Sequence, residues 1–258
     1  MEEAASLLPI RHKYAEFKDR YSVRSLNLKE DERKFSEFKR NLAFIEETNK
    51  KNLTYWLAVN EFTAMTKDEF MTVNTCSPPD SDPSGALEGA FKIQTGTLAQ
   101  FSVQQVIDCG RAYRTEGCNG GWIFGVFDYV QNKGIVPDQL YPYTEVEGKC
   151  KAVITVVTKQ CLKKDCIDER HSVVIRQSQL DVLFAQLQVG PISVDINVEP
   201  DEWQSYGGGI LQGFKCDGNP NHTMLLVGYG TENGVRFLQY TAPPDDSSGP
   251  RQLAEYVR

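Results

Sequence analysis

No apolar run reaches the roughly eighteen residues that a membrane-spanning helix needs, so the sequence reads as one without a membrane span. The opening stretch carries Glu2 and Glu3 where a secretory leader has basic residues ahead of an apolar core, and no signal peptide is visible. Positive charge is scarce: 28 lysines and arginines stand against 35 acidic residues, giving a net charge of −7 and a pI near 5.1. That balance disfavours a surface that tracks phosphates, so neither nucleic acid nor a membrane is an expected partner. There is no internal repeat, and no cysteine precedes residue 76.

What is present is 258 residues, 40% apolar and 24% charged, enough to bury the core of one large domain or two small ones. Seven cysteines (Cys76, Cys109, Cys118, Cys150, Cys161, Cys166 and Cys216) are many for a reducing compartment and read as a disulfide framework confined to the later part of the chain. The odd count leaves at least one thiol without a partner. Residues 1–73 hold 13 basic and 13 acidic residues, whereas 74–258 hold 15 and 22, which suggests two modules.

In the first module Ile10, Tyr14, Phe17 and Tyr21 recur at helical spacing, as do Phe35, Phe38, Leu42 and Ile45, predicting two amphipathic helices. Asn27 and Glu30 have the spacing of a capping box that starts the longer helix. Leu53, Tyr55, Leu57 and Val59 alternate with Thr54, Trp56 and Ala58 as in a half-buried strand. The prolines of 76–83 exclude regular structure and mark a boundary. Beyond it, helices are expected over 84–95, 119–133 and 177–189, each stopped by a glycine, and strands over 192–198, 223–229 and 235–240. Helices first and strands later indicate an α+β protein.

Glu30, Lys34, Phe38, Asn41, Ile45 and Asn49 lie at spacings of 4, 4, 3, 4 and 4 along the longer predicted helix, followed by Asn60 and Phe62. This pattern resembles the ERFNIN signature of papain-family propeptides, with lysine in the arginine position and with Ala58 and Ala64 replacing the glycine and aspartate usual in the segment that follows. Five strings, Gly85–Gly89, Phe101–Cys109, Gly117–Gly121, Tyr141–Tyr143 and Gly207–Ile210, then run in the order found in lysosomal cathepsins of that family. A sixth, Asn221–Gly230, completes the order.

The resemblance implies a papain-like fold of two subdomains, a helical half and an incomplete antiparallel β-barrel half, preceded by a helical propeptide domain. The corresponding divisions are 10–72 for the propeptide domain, 73–83 for a truncated linker, and 84–258 for a peptidase domain lacking its nucleophile segment and C-terminal tail.

The chemistry of a cysteine protease needs a thiolate at a helix N-terminus, an imidazole beside it, a group that orients the imidazole, and oxyanion donors. By resemblance His222 is the retained base, with a packed strand-end histidine as the alternative reading. Counting back from Gly85 puts the nucleophile position at Pro78, 144 residues before His222 and within the spacing expected of the family. Proline has no thiol. Cys76 is a poor substitute, because activation depends on a place in the first helical turn, and Ser77 or Ser84 means little without an oxyanion hole. After Tyr240 the chain reads Thr-Ala-Pro-Pro instead of the stretch that carries the orienting asparagine.

The resemblance further implies disulfides Cys76–Cys118 and Cys109–Cys150, leaves Cys216 without a partner, and makes Gly120, Gly121 and Trp122 a remnant of the peptide cleft. A plain helix-start turn is the competing reading of those glycines. Cys161, Cys166 and His171 lack a fourth ligand and a usual zinc spacing, so no metal and no cofactor are expected. Two glycosylation sequons occur, Asn52-Leu-Thr54 on a polar turn and Asn221-His-Thr223, the latter expected to be buried.

The expected function is that of a papain-like endopeptidase zymogen homologue, inactive for want of nucleophile and orienting asparagine. An extended peptide in a residual cleft, or a related cysteine protease, is the expected partner, and a lysosomal or extracellular site the expected address. The alternatives are a propeptide-type inhibitor or binding protein for related proteases, and an exon-skipped or misassembled product.

Overall fold

The computed structural model describes residues 2–73, 84–144, 146–151, 179–198, 201–213 and 219–241. Along the chain the helices and strands are α1 (Glu2–Arg20), α2 (Leu28–Asn49), β1 (Tyr55–Leu57), α3 (Lys67–Val73), α4 (Ser84–Thr95), α5 (Val103–Cys109) and α6 (Ile123–Lys133). They continue with α7 (Leu180–Leu187), β2 (Ile192–Ile196), α8 (Asp201–Gln204), β3 (Tyr206–Gly209), β4 (His222–Glu232) and β5 (Val235–Thr241). Two compact units result, one of residues 1–73 with 198–217 and one of 74–197 with 218–258.

In the first unit α1 and α2 bury the aromatic stripes that their periodicity predicts. Tyr14, Phe17, Phe35, Phe38, Leu42 and Ala64 form one core, with Phe38 1% exposed and its ring 4.9 Å from that of Phe17. Ala64, where the propeptide pattern has aspartate, is therefore an apolar core residue. The Asn27 side chain accepts from the Glu30 amide and so caps α2 as expected. The reciprocal bond differs, since the Glu30 carboxylate accepts from the Leu26 amide. Lys34 sits 3.0 Å from Glu30 and also donates to the Arg24 carbonyl, which ties the start of α2 to the preceding loop.

Two asparagines on α2 order the chain beyond it. The Asn49 side chain both donates to the Leu57 carbonyl and accepts from the Leu57 amide, and Asn41 donates to the carbonyls of Thr63 and Met65. β1 then pairs antiparallel with β3, in register Tyr55↔Gly209 and Trp56↔Gly208. The strand is shorter than its alternation suggests, because Asn52 turns left-handed at φ +49° and Leu53 stays 44% exposed. A Cβ at Gly208 would lie 2.3 Å from the Trp56 indole, so the ring packs against a backbone that no other residue type would leave open. Residues 201–213, which the sequence groups with the peptidase domain, thus pack with residues 2–73. A second tie is buried: Asn60 donates to the Gln204 carbonyl, and the Gln204 amide donates to Phe62 and Met65.

In the second unit α4, α5 and α6 share a core of Leu87, Phe101, Val106, Val126, Tyr129, Val130 and Ile135. Gln104 and Gln105, almost fully buried on α5, supply the amides that hold the surrounding loops. Gln105 donates to the Tyr129 hydroxyl and accepts from the Val136 amide; Gln104 donates to Asp108 and accepts from the Thr144 amide. A disulfide joins Cys109 to Cys150. α6 begins four residues later than its periodicity suggests, because Gly117–Asn119 form a 3-10 turn first. The predicted helix over 177–189 is seen as α7, its first two residues lying outside the described ones.

β2, β4 and β5 form an antiparallel sheet in that order, with Met224 and Leu226 buried on one face of β4 and Val227 and Tyr229 exposed. α4 approaches this sheet closely: a Cβ at Gly85 would lie 2.8 Å from the Leu225 side chain, and one at Gly89 2.5 Å from Pro191.

Candidate active site

His222 opens β4, opposite Ile196 of β2, and the preceding Asn221 amide donates to the Ile196 carbonyl. Its imidazole is half-buried, and burial alone pulls its pKa from 6.5 down to about 4, since a charged ring loses more hydration than a neutral one. Among the described residues no side chain hydrogen-bonds to the ring. Beside it, Thr223 donates to Asp195 at 2.7 Å, so the one nearby carboxylate on β2 is engaged with a hydroxyl.

α4 is the helix whose N-terminal end faces β4 through Gly85 and Leu225. Its first turn as described, Ser84 to Leu87, contains no cysteine, and Ser84 is 1% exposed, which removes it from the reach of a substrate. Cys76 and Pro78 lie outside the described residues, as do Cys161, Cys166, His171, Cys216 and the stretch after Thr241. Cys118 is disulfide-bonded; Cys76, the partner expected for it, is among those outside.

Gly120, Gly121 and Trp122 lie just ahead of α6. Gly121 sits at φ +145°, and a Cβ there would come within 2.7 Å of the Thr115 backbone, across the antiparallel bridge that joins the two residues. Only glycine closes that turn. Gly120 has open space above its α-carbon, and Trp122 is 64% exposed with Phe124 next to it at 44%. Gly120 donates its amide to the Gly117 carbonyl and its carbonyl accepts from the Glu116 amide, so its backbone is engaged within the turn, and the shelf offered to an extended peptide is the open space over Gly120 beside the exposed indole. Within this unit no hydrogen bond, ion pair or ring contact among the described residues joins Gly120–Trp122 to His222.

Asn221, the second sequon asparagine, is exposed, contrary to expectation, because it stands before β4 begins. The roles of Gln104, Gln105 and Gln204 were not legible in the sequence: periodicity identifies buried faces but does not say which loop carbonyl a buried amide meets.

Residues 83–241 match the model described as papain family cysteine protease, and residues 14–70 match the cathepsin propeptide inhibitor domain. Digestive cysteine proteinase 2 of Homarus americanus is 29% identical, covering 86% of this chain and 81% of its own length. Pro-cathepsin H of Medicago truncatula is 31% identical, covering 87% and 75%. Among solved structures, digestive procathepsin L 3 of Tenebrio molitor larval midgut superposes with a TM-score of 0.75 at 24% identity, covering 96% of this chain and 94% of that one.

Proposed function

This chain belongs to the papain family of cysteine proteases and is a homologue of its propeptide-bearing zymogens, and from that premise we propose that it is a catalytically silent member that holds extended peptides without cleaving them. The observation that carries the reading is a His222 imidazole whose pKa burial pulls to about 4, in a chain whose sequence has proline at position 78. A thiolate–imidazolium pair requires the reverse, a ring whose proton is held by an adjacent negative charge. With the ring neutral and no thiol at the expected position, the acyl-enzyme step has neither nucleophile nor charge partner. The shelf at Gly120, Gly121 and Trp122 needs no thiol to bind a peptide.

Labelling with a peptidyl epoxide tests this directly. Intact mass is expected to show no adduct between pH 4 and 7.5, with no turnover of a fluorogenic dipeptide substrate; an adduct mapped to Cys76 overturns the proposal.

A second reading, inhibition of a related cysteine protease in trans, is favoured by the self-contained aromatic core built by Tyr14, Phe17, Phe35 and Phe38. In this chain β1 is paired with β3, so the edge of β1 that meets Tyr206–Gly209 is already in use. Full-length protein at micromolar concentration slows a papain-type endopeptidase if the reading holds, and leaves its rate unchanged if it does not.

The proposed address is lysosomal or secretory. The closed Cys109–Cys150 bridge supports it, because such bonds persist in oxidising compartments. Among the described residues no helix is long and apolar enough to cross a membrane.

A further inference from the structure

α2 ends at Asn49, and the chain passes through Lys50 and Lys51 to Asn52, which takes φ +49° before β1 begins at Tyr55. Asparagine tolerates this left-handed conformation better than most side chains. Every residue from Asn49 to Thr54 is exposed, so a large substituent on Asn52 meets solvent without displacing a neighbour. Among the described residues none hydrogen-bonds the Asn52 carboxamide. The other end of the turn is anchored: the Thr54 hydroxyl donates to the Ile210 carbonyl at 2.6 Å and accepts from Gln212 at 2.8 Å.

Asn52-Leu-Thr54 has the acceptor order for N-glycosylation, with no proline between. The Cys109–Cys150 disulfide is an independent mark of the oxidising route on which that modification is made. We propose that Asn52 carries an N-linked glycan. The inference rests on the secretory address proposed above and is independent of catalytic silence. In the transfer, the Asn52 amide nitrogen bonds to C1 of an oligosaccharide held on a polyprenyl diphosphate. The C1–oxygen bond to the diphosphate breaks, the lipid diphosphate leaves, and the nitrogen gives up one proton. The glycan then stands beside Leu53 and Trp56, which are 44% and 55% exposed, and covers part of that apolar surface.

The test is expression of the full chain behind a secretion leader in eukaryotic cells, followed by amidase deglycosylation and peptide mapping. The expected result is one enzyme-sensitive mobility shift, with Asn52 converted to aspartate on release. Asn52→Gly removes the acceptor while suiting the left-handed backbone, so it abolishes the shift without straining the turn. Thr54→Ser keeps the sequon and the shift, and Asn221→Gln leaves the shift in place. Non-reducing mapping of Cys109–Cys150 reports entry into the oxidising compartment separately. A chain with that bridge closed and no shift overturns the proposal, as does a shift that survives Asn52→Gly. An open bridge in secreted chain instead removes the disulfide as a mark of the oxidising route, and so counts against the proposed address and against this proposal with it.

Discussion

Replacing His222 with phenylalanine removes a pH dependence that its buried ring gives to folding. The ring's pKa is about 4 in the folded chain and 6.5 when unfolded, so the unfolded state binds more protons across that interval. Folding stability from this group is therefore fully present above about pH 6.5 and declines as pH falls towards 4. Protonation of the unfolded chain alone costs about 2 kcal/mol at pH 5 and approaches about 3 kcal/mol near pH 4, below which the folded ring also protonates and the loss levels off. Other groups titrate too, but the difference between wild type and His222→Phe isolates this one. Unfolding free energies from urea titration are expected to fall by about 2 kcal/mol more for wild type than for the variant between pH 7.5 and pH 5. NMR titration of the imidazole supplies the direct check. Parallel pH dependences, or a ring pKa above 6.5, refute the reasoning.

Three further outcomes concern the frame around the site. Gly208→Val drives a side chain into the Trp56 indole at a position with φ +155°, and a loss of about 1–3 kcal/mol with a change in tryptophan fluorescence is expected. Gln204→Leu leaves the part-buried carbonyls of Phe62 and Met65 without that donor, which lowers the unfolding free energy by about 1–3 kcal/mol in urea titration. Cys109→Ser with Cys150→Ser opens a bridge spanning 41 residues and lowers stability by about 3–4 kcal/mol in non-reducing buffer, an effect that disappears when both proteins are fully reduced.

The aromatic stripes of α1 and α2 are legible because helical period alone decides which side chains share a face, and Tyr14, Phe17, Phe35, Phe38 and Leu42 meet as their spacing requires. Capping by Asn27 is equally local. The start of α6 was misjudged by four residues because the 3-10 turn and the bridge from Gly121 to Thr115 depend on a segment that periodicity does not weigh. The expected burial of Asn221 failed for a similar reason: the sequon adjoins a strand, but β4 begins one residue after it.

Family membership, and the presence of a proline at 78 and a histidine at 222, were determined by the sequence itself, since each is a matter of which residue stands at which spacing. Tertiary structure alone decided that residues 201–213 pack with the propeptide unit, that Gln204 bonds the turn at 60–65, and that burial lowers the pKa of the His222 ring. Those outcomes depend on strand pairing and desolvation between residues far apart in the chain, and neither leaves a mark in local composition.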